Sequence, residues 1–204
     1  ASVALFVLAG PLTVTLYHRK EFTAYDVEMT QLALMAFSFA LLGWSLIKVL
    51  APGYYARQDT KGPVKIAMRA LGLTMALNLI LVAALAVTGR LHDEGMHALL
   101  ALSNGIGALF NAALLYVGLV RKGVLVREAG TRKLLVQIVV ASAMMAAFLY
   151  WFGGDVAEWL AASNTRRFVW LTGVVCGGAA VYFAVLGLMG VRPGQFRVRA
   201  AVAA

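Results

Sequence analysis

The chain has 204 residues, 62% of them hydrophobic and 13% charged, with a net charge of +9 and a mean hydropathy of +0.82. A water-soluble domain carries roughly a quarter of its residues charged. This composition therefore excludes one and, with the apolar residues in long blocks, indicates an all-α integral membrane protein. The basic excess lies mainly between the blocks, where it orients helices and meets lipid head groups, so nucleic acid is not the expected partner.

The first apolar block, 2–17, has 16 residues, short of the roughly 20 that cross a bilayer. The expectation is that the chain starts inside a helix and belongs to something longer. Blocks 30–51, 64–88, 96–120, 133–152 and 167–190 are each long enough to span, which predicts six transmembrane helices with the first truncated. β-Barrel strands would be shorter and would alternate. Pro11, Pro52, Pro63 and Pro193 all fall near expected helix ends, where a missing N–H costs little.

Eleven Lys and Arg fall on one side of these blocks, in the loops at 57–65 and 121–133 and in the tail from Arg192, against five on the other. The positive-inside rule makes the first side cytoplasmic, with both chain ends there. The lone Cys176 can build neither a disulfide framework nor a thiolate metal site.

The most polar interruption is Val49–Ile66. Locally, Pro52-Gly53 is expected to end one helix and Gly62-Pro63 to start the next, with Thr60 as the cap. Tyr54 and Tyr55 suit the interfacial belt. Arg57, Asp59 and Lys61 read as solvated or paired, and Lys48 as snorkelling from the last turn. Spacing alone gives an ordinary hairpin loop.

Further on, Thr74 and Asn78 lie four apart at mid-membrane depth, and Asn104 and Asn111 seven apart. Each pair is expected on one helix face. A cavity wall or cation site is one reading, and a helix–helix hydrogen bond is the favoured one. Gly173 and Gly177 form a GxxxG pattern followed by Gly178, which permits close packing or a smooth wall for a lipid chain, and less readily a dimer seam. His92, Asp93, Glu94 and His97 cluster in a loop without a usual ligand spacing. No phosphate-cradling loop, zinc signature or nucleophile elbow is present. No enzyme, cofactor or metal is expected.

Lys48-Val-Leu-Ala-Pro-Gly-Tyr-Tyr-Ala-Arg-Gln-Asp-Thr-Lys-Gly-Pro-Val-Lys65 resembles the signature loop of the MurJ (MviN) family of lipid II flippases, within the multidrug/oligosaccharidyl-lipid/polysaccharide exporter superfamily. Gly10-Pro-Leu-Thr-Val-Thr-Leu-Tyr17, Phe22-Thr-Ala-Tyr-Asp26, Met29-Thr-Gln31, Ala33-Leu34, Leu77-Asn78-Leu79 and Asn111-Ala-Ala-Leu-Leu-Tyr116 extend the resemblance, which is close from about residue 9 to 122. It implies the last six of fourteen helices. Residues 1–122 would form part of the second lobe, and 123–204 two extra helices that help form a groove for the lipid tail.

The implied setting is the bacterial inner membrane. The implied partners are lipid II, membrane lipids and the N-terminal helices of the parent protein, where most cavity arginines of the family lie. The loop, with Lys48, Pro52, Tyr55, Arg57, Asp59, Thr60, Lys61, Pro63 and Lys65, would be the cytoplasmic hinge and gate, its ion pairs forming and breaking through the cycle. Arg69, Thr74, Asn78, Asn104 and Asn111 would be cavity-facing candidates. Gly62 stands where the family often has Thr, Leu99 where it tends to have a small residue, and Arg69 where it is usually apolar. The rival readings are another polyprenyl-glycan exporter and a membrane scaffold that recruits cell-wall synthesis enzymes through 121–133 and the tail.

Overall fold

A computed structural model of the chain describes residues 1–17, 22–88, 96–125 and 129–191. His92, Asp93 and Glu94, and the tail from Arg192, lie outside them. The described residues form eight α-helices: α1 (Ser2–Val7), α2 (Ala9–Tyr17), α3 (Ala24–Tyr55), α4 (Lys61–Val87), α5 (Met96–Arg121), α6 (Ala129–Gly153), α7 (Val156–Ala161) and α8 (Asn164–Leu188). Five of them, α3, α4, α5, α6 and α8, are long and apolar enough to cross a membrane. In hydrocarbon a helix satisfies its own backbone groups, which is why each long apolar block takes this form.

The first block is two short helices meeting at Leu8. Pro11 has no N–H to give the Val7 carbonyl, so the ladder lapses there. It resumes across the break through Leu12 N–H to the Leu8 carbonyl at 2.9 Å. Helix α3 starts six residues before the expected block, because Thr23 and Asp26 form a reciprocal capping box. It also runs through Pro52, which corrects the expectation that Pro52-Gly53 ends the helix. Proline removes only its own N–H, and the last turn continues with Ala56 N–H donating to the Pro52 carbonyl at 2.9 Å.

The most extensive contact in the bundle is α3 against α5. On α3, Ala36, Ala40, Gly43, Ile47, Leu50 and Tyr54 recur with 4-3-4-3-4 spacing, and on α5 Ala101, Gly105, Ala108, Ala112, Leu115 and Leu119 do the same. This repeat, about one contact per 3.5 residues, is that of left-handed helix pairs. Small residues occupy the middle, and the larger Tyr54, Leu115 and Leu119 form an apolar cluster at the α3–α4 end. A Cβ on Gly43 would lie 2.7 Å from the Ala108 backbone, and one on Gly105 3.3 Å from the Ala40 nitrogen. Between helices in lipid, such close approach supplies the dispersion energy that water cannot.

Helix α4 packs chiefly on α5, and α6 on α8. The α6–α8 pair meets the rest of the chain through α1, α2 and the short α7. At that opposite end, Trp159 of α7 is fully buried with Val14 and Val27 and stacks on Trp170 with centroids 4.5 Å apart. Arg167, also buried, donates from Nε to the Trp159 carbonyl at 2.7 Å and from Nη2 to the Leu160 carbonyl at 2.8 Å. A cation thereby meets the carbonyls of Trp159 and Leu160 at the C-terminus of α7.

Two comparisons test this packing. Gly43→Ala is expected to lower thermal stability in detergent by about 1–3 kcal/mol through overpacking, whereas Gly173→Ala, with open space around it, is expected to leave it unchanged or slightly raised. Arg167→Ala is expected to cost about 1.5–3 kcal/mol, without rescue by Lys, whose single ammonium does not reproduce the guanidinium fork. Trp fluorescence melting curves of the four variants read both.

Candidate functional site

The polar interruption between α3 and α4 folds back on the end of α5. Helix α3 ends with Asp59 N–H on the Tyr54 carbonyl at 3.1 Å and Gln58 N–H on the Tyr55 carbonyl at 2.9 Å. Gln58 takes the left-handed conformation, φ 57°, that usually falls to glycine in this type of helix stop. Helix α5 ends the same way at Gly123, φ 65°, with Val124 N–H on the Leu119 carbonyl at 3.0 Å.

These two stops bring four groups together. Tyr54 is 2% exposed and donates its hydroxyl to the Leu115 carbonyl at 3.0 Å. Gly118 leaves room for that hydroxyl, since a Cβ there would run into it. Lys122 Nζ pairs with Asp59 Oδ2 and lies 4.9 Å from the centre of the Tyr54 ring. Arg57 Nη1 donates to the Lys122 carbonyl at 3.4 Å. The loop is thus clasped to α5 by an ion pair, a cation–π contact and two hydrogen bonds to carbonyls.

Asp59 also accepts from Gly62 N–H at 2.8 Å. Thr60 stands at the start of α4, but its side chain makes no capping bond. The cap is Asp59, because its carboxylate reaches the N–H that the shorter hydroxyl does not. The Lys122 hydrogen bond, then the Gly62 N–H, hold the Asp59 carboxyl below the usual carboxylate range.

The remaining expected residues divide. Pro63 is buried in the first turn of α4, while Lys48, Pro52, Tyr55, Lys61 and Lys65 are exposed. Tyr55, singled out from the sequence, is 54% exposed; its neighbour Tyr54 is the anchor. The α3 repeat carried that signal, since 36, 40, 43, 47 and 50 lead to 54 and not to 55.

Thr74 and Asn78 do share a face of α4, turned to α5. Ser103 Oγ bonds Asn78 Oδ1, and Thr74 sits over Gly107 while returning its hydroxyl to the Ala70 carbonyl at 3.0 Å. The Asn78–Ser103 bond is the helix–helix hydrogen bond favoured above, whereas the Thr74 hydroxyl stays within α4. Asn104 and Asn111 do not share an environment: Asn104 is exposed and turned to the Leu100 carbonyl, whereas the Oδ1 of Asn111 is buried without a hydrogen-bond partner among the described residues. The GxxxG pattern is likewise divided. Gly177 and Gly178 lie against Phe148 and Leu149 of α6, and Gly173 faces open space. Arg69 is exposed on α4.

An apolar cavity of about 530 Å³ lies among α1, α3, α6 and α8, lined among others by Leu8, Leu42, Met145, Leu149, Gly178 and Tyr182. Among the described residues no group of three His, Cys, Asp or Glu could hold a metal ion.

A depressed Asp59 pKa means that its contribution is complete above the ordinary carboxylate range and is lost as pH falls through the lowered value. Protease cleavage in the 56–60 turn is therefore expected to stay flat between about pH 5 and 8, and to be uniformly faster at every pH in that range in Asp59→Asn. Tyr54→Phe is expected to cost about 1 kcal/mol in thermal unfolding.

The model of the family described as "Lipid II flippase MurJ" matches residues 1–169. The probable lipid II flippase MurJ of Vibrio cholerae is 39% identical over 192 residues, which is 94% of this chain and 35% of that protein. The lipid II flippase MurJ of Burkholderia cenocepacia is 36% identical, with 98% and 37% covered. That of Haemophilus influenzae, named as probable, is 35% identical, with 94% and 36% covered. The chain thus spans about a third of the length of the curated relatives it matches. The family model covers most of the chain and these relatives are each more than 30% identical to it, and this chain belongs to the MurJ lipid II flippase family.

Proposed function

We propose that the chain is the C-terminal part of a flippase that moves lipid II, the undecaprenyl-linked peptidoglycan precursor, from the inner to the outer leaflet of the bacterial inner membrane. The supporting observation is a family match over most of the chain joined to a bundle of five membrane-length helices. A polar head group crossing hydrocarbon alone would lose its water at a cost far above thermal energy. A cavity that opens to each side in turn avoids that cost while the tail stays in lipid.

In this reading both chain ends are cytoplasmic, and the α3–α4 loop forms the cytoplasmic mouth of the second lobe. The clasp makes the loop and the end of α5 a single piece, so gating moves them together. The apolar cavity beside α6 and α8 takes the lipid tail, with Gly177 and Gly178 keeping its wall close-packed. Lipid II is the partner; cell-wall synthesis enzymes recruited by the basic loop at 121–133 are the second reading, favoured by its charge alone.

In cells depleted of their own flippase, the full-length gene product is expected to restore lipid II flipping and this chain alone is not. Arg57→Ala and Asp59→Ala in the full-length protein are expected to reduce flipping at unchanged expression. Undiminished flipping in both variants would remove the loop from the mechanism, and rescue by the chain alone would overturn the division of labour.

A further inference from the structure

Lys61, Lys65 and Arg69 stand at i, i+4 and i+8 on one side of α4, and all three are exposed. None makes a hydrogen bond or ion pair among the described residues. Asp59 lies close enough for Lys65 to act on it electrostatically, but its carboxylate is held by Lys122 and Gly62. The other described acids, Asp26, Glu28, Asp155 and Glu158, belong to the opposite end of the bundle. Among the described residues, therefore, no carboxylate pairs directly with any of the three cations.

Their depth is informative. Arg69 is eight residues beyond Lys61, about 12 Å farther along the axis toward the middle of α4 at 1.5 Å per residue. Helical side chains lean toward the N-terminus, so the Arg69 guanidinium leans back toward Lys65 and Lys61. One turn deeper, Gly72 has nothing within 4 Å of where a Cβ would stand. Exposed Met68, Leu71 and Met75 flank it. Cations thus sit above a shallow apolar surface of the kind an acyl chain covers.

We propose that this face binds an anionic phospholipid, its phosphate held between Lys65 and Arg69 and its chain lying along Gly72. A zwitterionic lipid brings its own cation and leaves the net charge of the face unchanged, whereas an anionic lipid lowers it by one. The site does not depend on the transport reading, but on α4 spanning the bilayer with this face turned to lipid in the full-length protein.

The full-length gene product, purified in detergent, is equilibrated with phosphatidylglycerol or with phosphatidylcholine of the same chains, and retained lipid is counted by native mass spectrometry. The wild type is expected to retain phosphatidylglycerol in preference. Arg69→Leu and Lys65→Gln, each checked for an unchanged melting temperature, are each expected to weaken that retention about fivefold. Inorganic pyrophosphate is not expected to displace the lipid. Equal retention of the two lipids, or undiminished phosphatidylglycerol retention in both variants, would overturn the proposal. Displacement by pyrophosphate would also overturn it and assign the face to a soluble or substrate phosphate.

Discussion

The close approach of α3 and α5 is the contact on which the other elements rest. In lipid the hydrophobic effect does not push helices together, so association depends on how near two backbones come and on the few polar groups that pair between them. Gly43 against Ala108, and Gly105 against Ala40, bring these two helices to backbone contact. Helix α4 is then attached to the far side of α5 by Thr74 over Gly107 and by the Asn78–Ser103 bond. The loop between α3 and α4 is attached to the end of the same helix.

That arrangement explains why the polar interruption is so rigid. The seam widens from alanine and glycine to Tyr54, Leu115 and Leu119 toward the loop. The tyrosine needs a partner for its hydroxyl in a dry place, and it finds the Leu115 carbonyl because Gly118 is small. Lys122 then has a ring to lie over and Asp59 to pair with. Each contact depends on the previous one, from a small-residue seam to an ordered charge pair at the rim. At the opposite end Arg167 and Trp159 do a comparable task for α7, joining the α6–α8 pair to α2.

The apolar blocks were legible in the sequence because length and hydropathy are local properties, and five of them became spanning helices. The Thr23–Asp26 capping box is equally local, and it sets the start of α3 six residues before the apolar block. What depended on partners was not legible. Pro52 reads as a terminator, yet it costs α3 only its own N–H, and the helix runs on to Tyr55. Thr60 reads as the cap, yet Asp59 makes the bond. The GxxxG at 173–177 is the more conspicuous small-residue motif, but the principal seam uses Gly43 and Gly105, one glycine on each of two helices, which no motif within a single helix reveals. The 4-3-4-3-4 repeat was visible on both helices and would have selected Tyr54 over Tyr55.

The central claim is that the loop and the end of α5 behave as one body. It is tested most directly by the distance between spin labels at Gln58→Cys and Arg121→Cys, both exposed positions, in full-length protein with Cys176 replaced. Pulsed electron resonance is expected to give a single narrow distance that is the same with and without a lipid II analogue. A broad or two-peaked distribution, or a shift on adding the analogue, would contradict the clasp and return the loop to the role of a separately moving flap.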